Sequence, residues 1–536
     1  MEMLKRLIHL FPTAHPKKEL ILNKYTIVKN AIDPIEEKTE YKFVEFKDIN
    51  LELHKKEQKM GQLHIVLLPI MAHGHMIPVL DMAKLFISRG VKTTIISTPP
   101  FSHPIIKAQE SGHDIGLSIL KFPPEGSSLP ENIATLDQVP SPDLIPKFFE
   151  ALALLQKPVE KILQELHPNC LISDMCLPWT TDSANKFGIP RLVFHGTSCF
   201  AICASEQMDL HKPYKNVSSD SEPFVIPNLP HRFIFTRPQV SPFELHEEEN
   251  DFTKLMQQMK EAEEKNYGVV INSFYEIESD YADFFKNVMG RKSWHIGPLL
   301  LCNKGGVEEK SHRGKESEID QHECLSWLDS KKPDSVVYAC FGSQAAFTQA
   351  QLHETAAGLE ASGQDFIWVV QKGKNEDNWL PEGFEDRTKG KGLLIRGWAP
   401  QVMILDHPSV GAFVTHCGWN STLEGICAGV PMVAWPTFAE QFYNEKLVTE
   451  VLGIGVSVGN KKWQRVGSEG VERAAVKTAV ERIMVGETAA EMRRRAMSYK
   501  EMARKAVEEG GSSYNCLNDL IHELSVYEHP KKQDIN

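Results

Sequence analysis

Residues 63–97 read LHIVLLPIMAHGHMIPVLDMAKLFISRGVKTTIIS. The run at 63–69 is continuously apolar, the pattern of a strand buried on both faces of a parallel sheet. The loop IMAHGH follows. MIPVLDMAKLFISRG then places Ile77, Leu80, Ala83, Lys84 and Ile87 at helical spacing, with Gly90 where a helix stops. VKTTIIS at 91–97 is the next strand. Strand, helix and strand in so short a span make a βαβ unit, in which ligands gather at the C-terminal ends of the strands. His75 stands at that place.

The alternation continues along the chain. Strands are expected at 115–122, 169–173 and 191–195, with Asp174 at the end of the second. The segment PPEGSSLPEN reads as a loop, 143–166 as helical and 183–187 as part of a short helix. Residues 200–266 are less regular apart from a helix around 251–265. YGVVIN and the segment ending WHIGPL close a first domain. Residues 301–320 are polar, charged and glycine-containing, as a linker or mobile loop would be. A second series then starts: strands at 335–340, 366–370, 393–398, 411–415 and 431–435, with helices at 348–362, 471–485, 489–508 and 513–526. The fold class expected is α/β, with two facing Rossmann-like domains and a cleft between them.

Within the second series, residues 398–441 read WAPQVMILDHPSVGAFVTHCGWNSTLEGICAGVPMVAWPTFAEQ. A short apolar strand runs into HCGWNS and a helix opening at Ser421. Unpaired N–H groups at a helix N-terminus attract phosphate, and Gly418 lets the backbone approach a ligand. His416, Asn420 and Ser421 add donors there. Trp398 and Gln401 precede the site, and Glu440 and Gln441 follow it. A base, a diphosphate and a polyhydroxyl group can be read in that order.

This span resembles the signature box of the plant family 1 UDP-dependent glycosyltransferases, in WAPQ, HCGWNS, Glu424, the closing EQ, and the length and spacing between them. The resemblance implies the GT-B fold. Residues 60–300 are then an acceptor-binding domain, 301–320 a linker, 321–510 the UDP-sugar-binding domain, and 511–536 a C-terminal helix packing back on the first domain, then a tail. Residues 1–59, rich in Lys and Glu, precede the family's usual start. They read either as an appended segment or as sequence upstream of a natural start at Met60, and are expected to be poorly ordered.

Glycosyl transfer from UDP needs an acceptor oxygen relieved of its proton, so a general base matters more than an acid. Histidine suits the task, and a carboxylate on its far nitrogen fixes the tautomer. His75 and Asp174 both follow strands and are candidates for that pair. The resemblance assigns the same residues, through Gly74-His75-Met76-Ile77-Pro78 and the aspartate of LISDMC; without it, His75 is better explained as a helix N-terminal residue capping a turn. His73 is at most a substrate contact. The resemblance makes Trp398 the ring that stacks on uracil, with the Ala399 backbone on the base edge and Gln401 at uracil or ribose. It places Glu424 on the ribose, although Ser421-Thr422-Leu423-Glu424 also fits a capping box. His416, Gly418, Asn420 and Ser421 form the diphosphate set, His416 answering charge on the β-phosphate. Ser343 of CFGS faces the same cleft; Gln344 stands where the family commonly has a smaller or apolar residue. Trp419 (through its backbone), Glu440 and Gln441 are the sugar set, and a closing Gln goes with glucose. No DxD-type motif stands here, so neither metal nor cofactor is expected beyond UDP-glucose as co-substrate. Inversion to a β-glucoside follows from a single displacement.

The acceptor pocket falls to the first domain. SCFAICA and PHRFIFTRPQVSPFE carry enough Phe, Ile and Pro to line an apolar cavity. IMAHGHMIPVLDMAKLF and GLEASGQDFIWVV resemble the plant subgroup acting on triterpenoids, steroids, flavonoids and other phenolics, and that resemblance implies a lipophilic triterpenoid or flavonoid acceptor. A net charge of −12 argues against a nucleic-acid partner. The ten cysteines show no CxxC or metal-ligand spacing and read as reduced buried thiols. No run of about 18 apolar residues suggests a transmembrane anchor, MEMLKRLIHLF is a poor secretory signal, and a cytoplasmic monomer is expected. Competing readings are the same fold with UDP-galactose or UDP-glucuronic acid, a UDP-sugar hydrolase or epimerase, and a non-catalytic UDP-sugar binder; retention of both His75 and Asp174 favours transfer.

Overall fold

His64–Leu68 is buried along its whole length and forms β1, the strand around which the first sheet of the computed structural model is built. The structure describes residues 62–245, 251–303, 313–370 and 379–527. The expected 1–59 extension, residues 304–312 of the expected linker and the tail after 527 lie outside the described residues.

The first sheet contains β1, β2 (Lys92–Ser97), β3 (Ile115–Ile119), β4 (Cys170–Asp174), β5 (Arg191–Phe194), β6 (Gly268–Ile271) and β7 (Ser293–His295). Their order is β3-β2-β1-β4-β5-β6-β7, parallel throughout. The second sheet contains β8 (Val336–Cys340), β9 (Asp365–Val370), β10 (Gly392–Arg396), β11 (Val410–Thr415), β12 (Met432–Ala434) and β13 (Gly455–Ser457), in the order β10-β9-β8-β11-β12-β13, also parallel. In each sheet the chain leaves the first strand on one side and returns on the other. Crevices therefore open between the ends of β1 and β4 and between the ends of β8 and β11. Pairing of Leu68 with Ser173 and of Cys340 with Thr415 sets which residues leave the sheets side by side there.

Helix α1 (His73–Ile87) covers the first crevice. It opens two residues before His75, which is in its first turn and not in a preceding loop. Besides Pro78 and Asp81, its buried side chains are Met76, Val79, Met82, Ala83 and Phe86, one residue back from the face expected at Ile77, Leu80, Ala83, Lys84 and Ile87. Both arcs are largely apolar; the first packs on the sheet, while Ile77 lines the cleft. The expected helix at 143–166 is two helices, Ile145–Ala153 and Gln156–Leu166. SCFAICA, expected to be irregular, begins helix α2 (Cys199–His211), which buries Cys199 through Ala204 without a break. Six consecutive buried residues at its start show no 3.6-residue period, which is why the sequence hid it. Glu278 accepts from the N–H groups of Cys199 (3.2 Å) and Phe200 (2.8 Å) at its start.

In the second half, α3 (Trp419–Ala428) follows β11 and α4 (Gln441–Lys446) follows the loop after β12. The final helix, α5 (Ser512–Ser525), buries Leu517, Leu520 and Leu524 in the core of the first sheet. Glu523 there accepts from Tyr267 Oη at 2.5 Å and Lys292 Nζ at 2.6 Å, anchoring the helix beside β7. All ten cysteines are free thiols. No described helix is long and apolar enough to cross a membrane.

Candidate active site

A connected cavity of about 2060 Å³ runs between the two sheets. Single ligand pockets are typically ~300–1,000 Å³, so this one has room for two reactants. Every sequence-predicted site residue except Asp174 lines it. Asp174 is fully buried directly behind His75.

The His75 Nδ1–H donates to Asp174 Oδ2 at 2.6 Å, with 24% of the histidine side chain exposed and none of the aspartate. The second carboxylate oxygen accepts from the Cys176 N–H at 3.0 Å. Arg191 fixes the strand ends by donating to Ser173 Oγ (2.8 Å), Thr181 Oγ1 (2.7 Å) and the Asp174 carbonyl (3.1 Å). With Nδ1 bonded, Nε2 is the lone-pair nitrogen. Burial opposes charge on the imidazole, but Asp174, aided by Glu440, outweighs it and holds the His75 pKa above its ordinary value. Burial likewise opposes ionisation of Asp174, and His75 overcomes it. The pair is thus built to take a proton and to stabilise the resulting cation.

Opposite stands α3. Its first helical residue is Trp419, two residues earlier than expected, and Gly418 is its N-cap, with no side chain capping it. Ser421 is therefore already inside the helix, and the capping-box alternative for Glu424 does not hold. Glu424 instead accepts from Gln401 Nε2 at 2.5 Å, and that amide also donates to Ser421 Oγ at 3.0 Å. Tyr338 Oη donates to Gln401 Oε1 at 3.2 Å, which locks the amide's orientation.

Gly418 also makes room for the His416 ring. A Cβ there would lie 2.4 Å from His416 Nε2, and a Cβ on Gly342 would lie 2.7 Å from the same ring. The two glycines hold the imidazole between them. Burial pushes the His416 pKa down to about 4, so the ring is neutral at ordinary pH. His416 Nδ1, Asn420 Oδ1 and Trp398 Nε1 are buried polar atoms without a hydrogen-bond partner among the described residues. All three belong to residues that line the cavity, and such atoms suit a ligand-binding surface. Cys417 (φ 64°) and Ala439 (φ 54°), at the two edges of this surface, hold left-handed backbone, at a cost of ~1–3 kcal/mol each.

Other predicted residues have additional duties. The Trp419 indole N–H donates to the Asn272 carbonyl at 2.7 Å, tying the two sheets together. Gln441 Oε1 accepts from Thr437 N (2.9 Å), Thr437 Oγ1 (2.9 Å) and Phe438 N (3.1 Å), so only its Nε2 is left to meet a sugar. Glu440 is raised above its ordinary pKa by burial. The Ala399 carbonyl accepts from Gln401 N at 2.8 Å. Ser343, after β8, completes the floor. His73 donates to Asp137 at 3.0 Å and does not join His75.

The sequence reading missed Arg313. Assigned to a linker, it enters the donor side of the cavity, donating to Asp81 Oδ2 from Nε (3.2 Å) and Nη2 (2.9 Å) and to Glu424 Oε1 from Nη1. Gly314 lies against the Trp398 ring, and Lys315 Nζ is 5.9 Å from its centroid. Lys315 also pairs with Asp137 at 2.8 Å. The one signal available was a pair of basic residues flanking a glycine in an acid-rich stretch.

Two crevices of one cleft, a helix N-terminus with donors on one side and a histidine–aspartate pair on the other, define a nucleotide-sugar transferase of GT-B architecture. Residues 61–301 match the family model for the glycosyltransferase N-terminal domain, and residues 305–492 match that for UDP-glucoronosyl and UDP-glucosyl transferase. Scopoletin glucosyltransferase of Nicotiana tabacum is 60% identical over 472 residues, covering 87% of this chain and 99% of that one. Anthocyanin 3'-O-beta-glucosyltransferase of Gentiana triflora is 54% identical, covering 88% of this chain and 100% of that one. Among solved structures, Glycyrrhiza uralensis UGT73P12 complexed with glycyrrhetinic acid 3-O-monoglucuronide aligns with a TM-score of 0.80 at 41% identity, over 87% of this chain and 96% of that one. The chain belongs to the plant family 1 UDP-dependent glycosyltransferases.

Proposed function

We propose that this glycosyltransferase moves glucose from UDP-glucose to a hydroxyl of a small phenolic or flavonoid natural product, with inversion. The observation that carries the reading is the His75–Asp174 pair, facing the N-terminus of α3 across one cleft. His75 Nε2 takes the acceptor proton as the acceptor oxygen attacks the anomeric carbon. The bond from that carbon to the β-phosphate oxygen breaks, and UDP leaves. Attack from the face opposite the leaving group turns an α-linked donor into a β-glucoside. The α3 N–H groups, the neutral His416, Asn420, Ser421 and Ser343 meet the diphosphate; Trp398, Ala399, Gln401 and Glu424 hold uracil and ribose; Trp419, Glu440 and Gln441 hold the sugar. In this reading no divalent ion is needed, because the donor set is helix dipole and N–H groups, with no DxD-type motif in the sequence.

Ile70, Ile145, Phe149, Met175 and Ile202 line the acceptor side, an apolar wall suited to a flat aromatic ring system. The tobacco and gentian relatives carry names of scopoletin and anthocyanin glucosylation, which agrees. A triterpenoid acceptor is the second reading, favoured by the glycyrrhetinic acid glycoside in the Glycyrrhiza complex. A cytoplasmic monomer goes with either.

The test is an acceptor panel of phenolics, flavonoids and triterpenoids with UDP-glucose, read by mass. A hexosyl adduct on a phenolic hydroxyl is expected. Release of UDP at one rate with and without acceptor would establish a hydrolase, and no release with any acceptor a binder; either result sinks the proposal.

A further inference from the structure

Arg291, Arg313 and Arg465 line the catalytic cavity. Two of them are matched by carboxylates: Arg291 by Glu206 at 2.7 Å and Glu263 at 3.2 Å, and Arg313 by Asp81 at 2.9 Å and Glu424. Arg465 is not. It donates from Nη2 to Gln344 Oε1 at 3.2 Å, and its Cζ is 5.9 Å from the Phe438 ring centroid. Among the described residues no carboxylate lies within ion-pair distance of it. Burial moves its pKa downward.

The position is built. Arg465 immediately precedes the short strand Val466–Ser468, which pairs with Ala346–Phe347, and its carbonyl accepts from Ala346 N at 3.4 Å. Gln344 follows Ser343, while Phe438 lies in the loop that carries Glu440 and Gln441. The guanidinium is therefore held between the loop assigned to phosphate and the loop assigned to sugar. Gln344, where a smaller or apolar residue was expected, supplies the acceptor that orients it. A guanidinium has five N–H donors, and among the described residues one is used. A half-buried cation in a cavity wall is costly to desolvate, and an anion offering charge-assisted hydrogen bonds offsets that cost.

We propose that Arg465, oriented by Gln344, is a carboxylate-recognising subsite of the cavity, outside the residues assigned to UDP, for a carboxylate carried by one of the two reactants. This rests on the glucosyltransferase reading above. The carboxylate can sit on the acceptor, as in a phenolic acid, or on the donor, as in a UDP-uronic acid.

The experiment compares the parent enzyme with R465A, R465K and Q344M in four arms: UDP-glucose with a neutral phenol, UDP-glucose with the same phenol bearing a carboxylate, UDP-glucuronic acid with the neutral phenol, and calorimetric titration with UDP alone. The first arm reads the proposed function, so its failure in the parent is a failure of that reading and not of the subsite. A charge-assisted hydrogen bond contributes ~1.5–3 kcal/mol, about tenfold to a hundredfold in kcat/KM. A loss of that size in R465A, smaller in R465K and Q344M, is expected in one carboxylate arm while the neutral and UDP arms stay near parent values. A loss in the second arm places the carboxylate on the acceptor, and one in the third places it on the donor. Equal losses in all arms, a loss of UDP affinity, no change anywhere, or no parent turnover of either carboxylated reactant would overturn the proposal.

Discussion

Asn420 donates from Nδ2 to the carbonyl of Gly74 at 2.6 Å, joining the first turn of α3 to the first turn of α1 one residue before His75. A residue expected to read phosphate thus also sets the distance between the donor site and the base. Asn420→Ala is expected to lower kcat on the order of a hundredfold, as small misplacements of a catalytic group do. UDP affinity should fall much less. Steady-state kinetics alongside calorimetric UDP titration separates the effects; an affinity loss with kcat unchanged would leave Asn420 as a phosphate ligand alone.

His75→Ala should lower kcat by ~10²–10⁴ while UDP binds close to parent affinity. The base works only when neutral, and its pKa is raised. Accordingly kcat/KM should rise with pH through a value above the ordinary histidine pKa of about 6.5. Glu440→Gln removes a charge that raises it, so the acidic limb of the pH–rate profile should move to lower pH. A limb that stays in place would remove Glu440 from the electrostatics of His75.

Arg313 sits between Asp81 and Glu424 and is itself only 12% exposed. Arg313→Ala leaves two buried carboxylates facing each other. Removing one partner from a buried ion pair typically costs about 3–5 kcal/mol. A loss near that size is expected in denaturant unfolding, with partial recovery in Arg313→Ala combined with Asp81→Asn. A loss under about 1 kcal/mol would match an exposed pair and contradict the burial.

Gln441 uses its carboxamide oxygen to hold the loop at Thr437 and Phe438. Gln441→His should therefore both loosen this loop and lower the use of UDP-glucose relative to UDP-galactose. Donor competition read by product mass checks the ratio. An unchanged ratio with a lower melting temperature would assign Gln441 to the loop only.

Burial pushes the Glu278 pKa up to about 7, although the Phe200 and Cys199 N–H groups and Ser273 favour its charged form. The folded state therefore binds the proton more tightly than the unfolded state, whose carboxyl titrates near 4.3. Its contribution is complete below that value and is lost as pH rises toward about 7. Relative to Glu278→Gln, the parent should lose stability across that window, measured by urea unfolding at several pH values. A parallel pair of curves would show that Glu278 titrates alike in both states.

The strands and the box were legible because both are local. A strand buried on two faces, such as β1 or β11, is largely apolar, and a helix N-terminus after a strand is a candidate anion site. Helix α2 was not legible, since its run of consecutive buried residues has no period to read. The face of α1 was misread by one residue because one arc packs on the sheet and the next lines the cleft.

By itself the sequence determined the α/β class, two domains, the donor box and the candidacy of His75 and Asp174, all of which depend on patterns within short segments. Only the tertiary structure decided that Arg313 leaves the linker for Glu424, that Gly342 and Gly418 hold the His416 ring between them, that Asn420 binds the backbone beside His75, and that Arg465 stands without a carboxylate among the described residues. Each of these depends on groups distant in the chain meeting within a few ångströms. Electrostatic and steric effects at that range follow from separation in space, which spacing along a sequence does not fix.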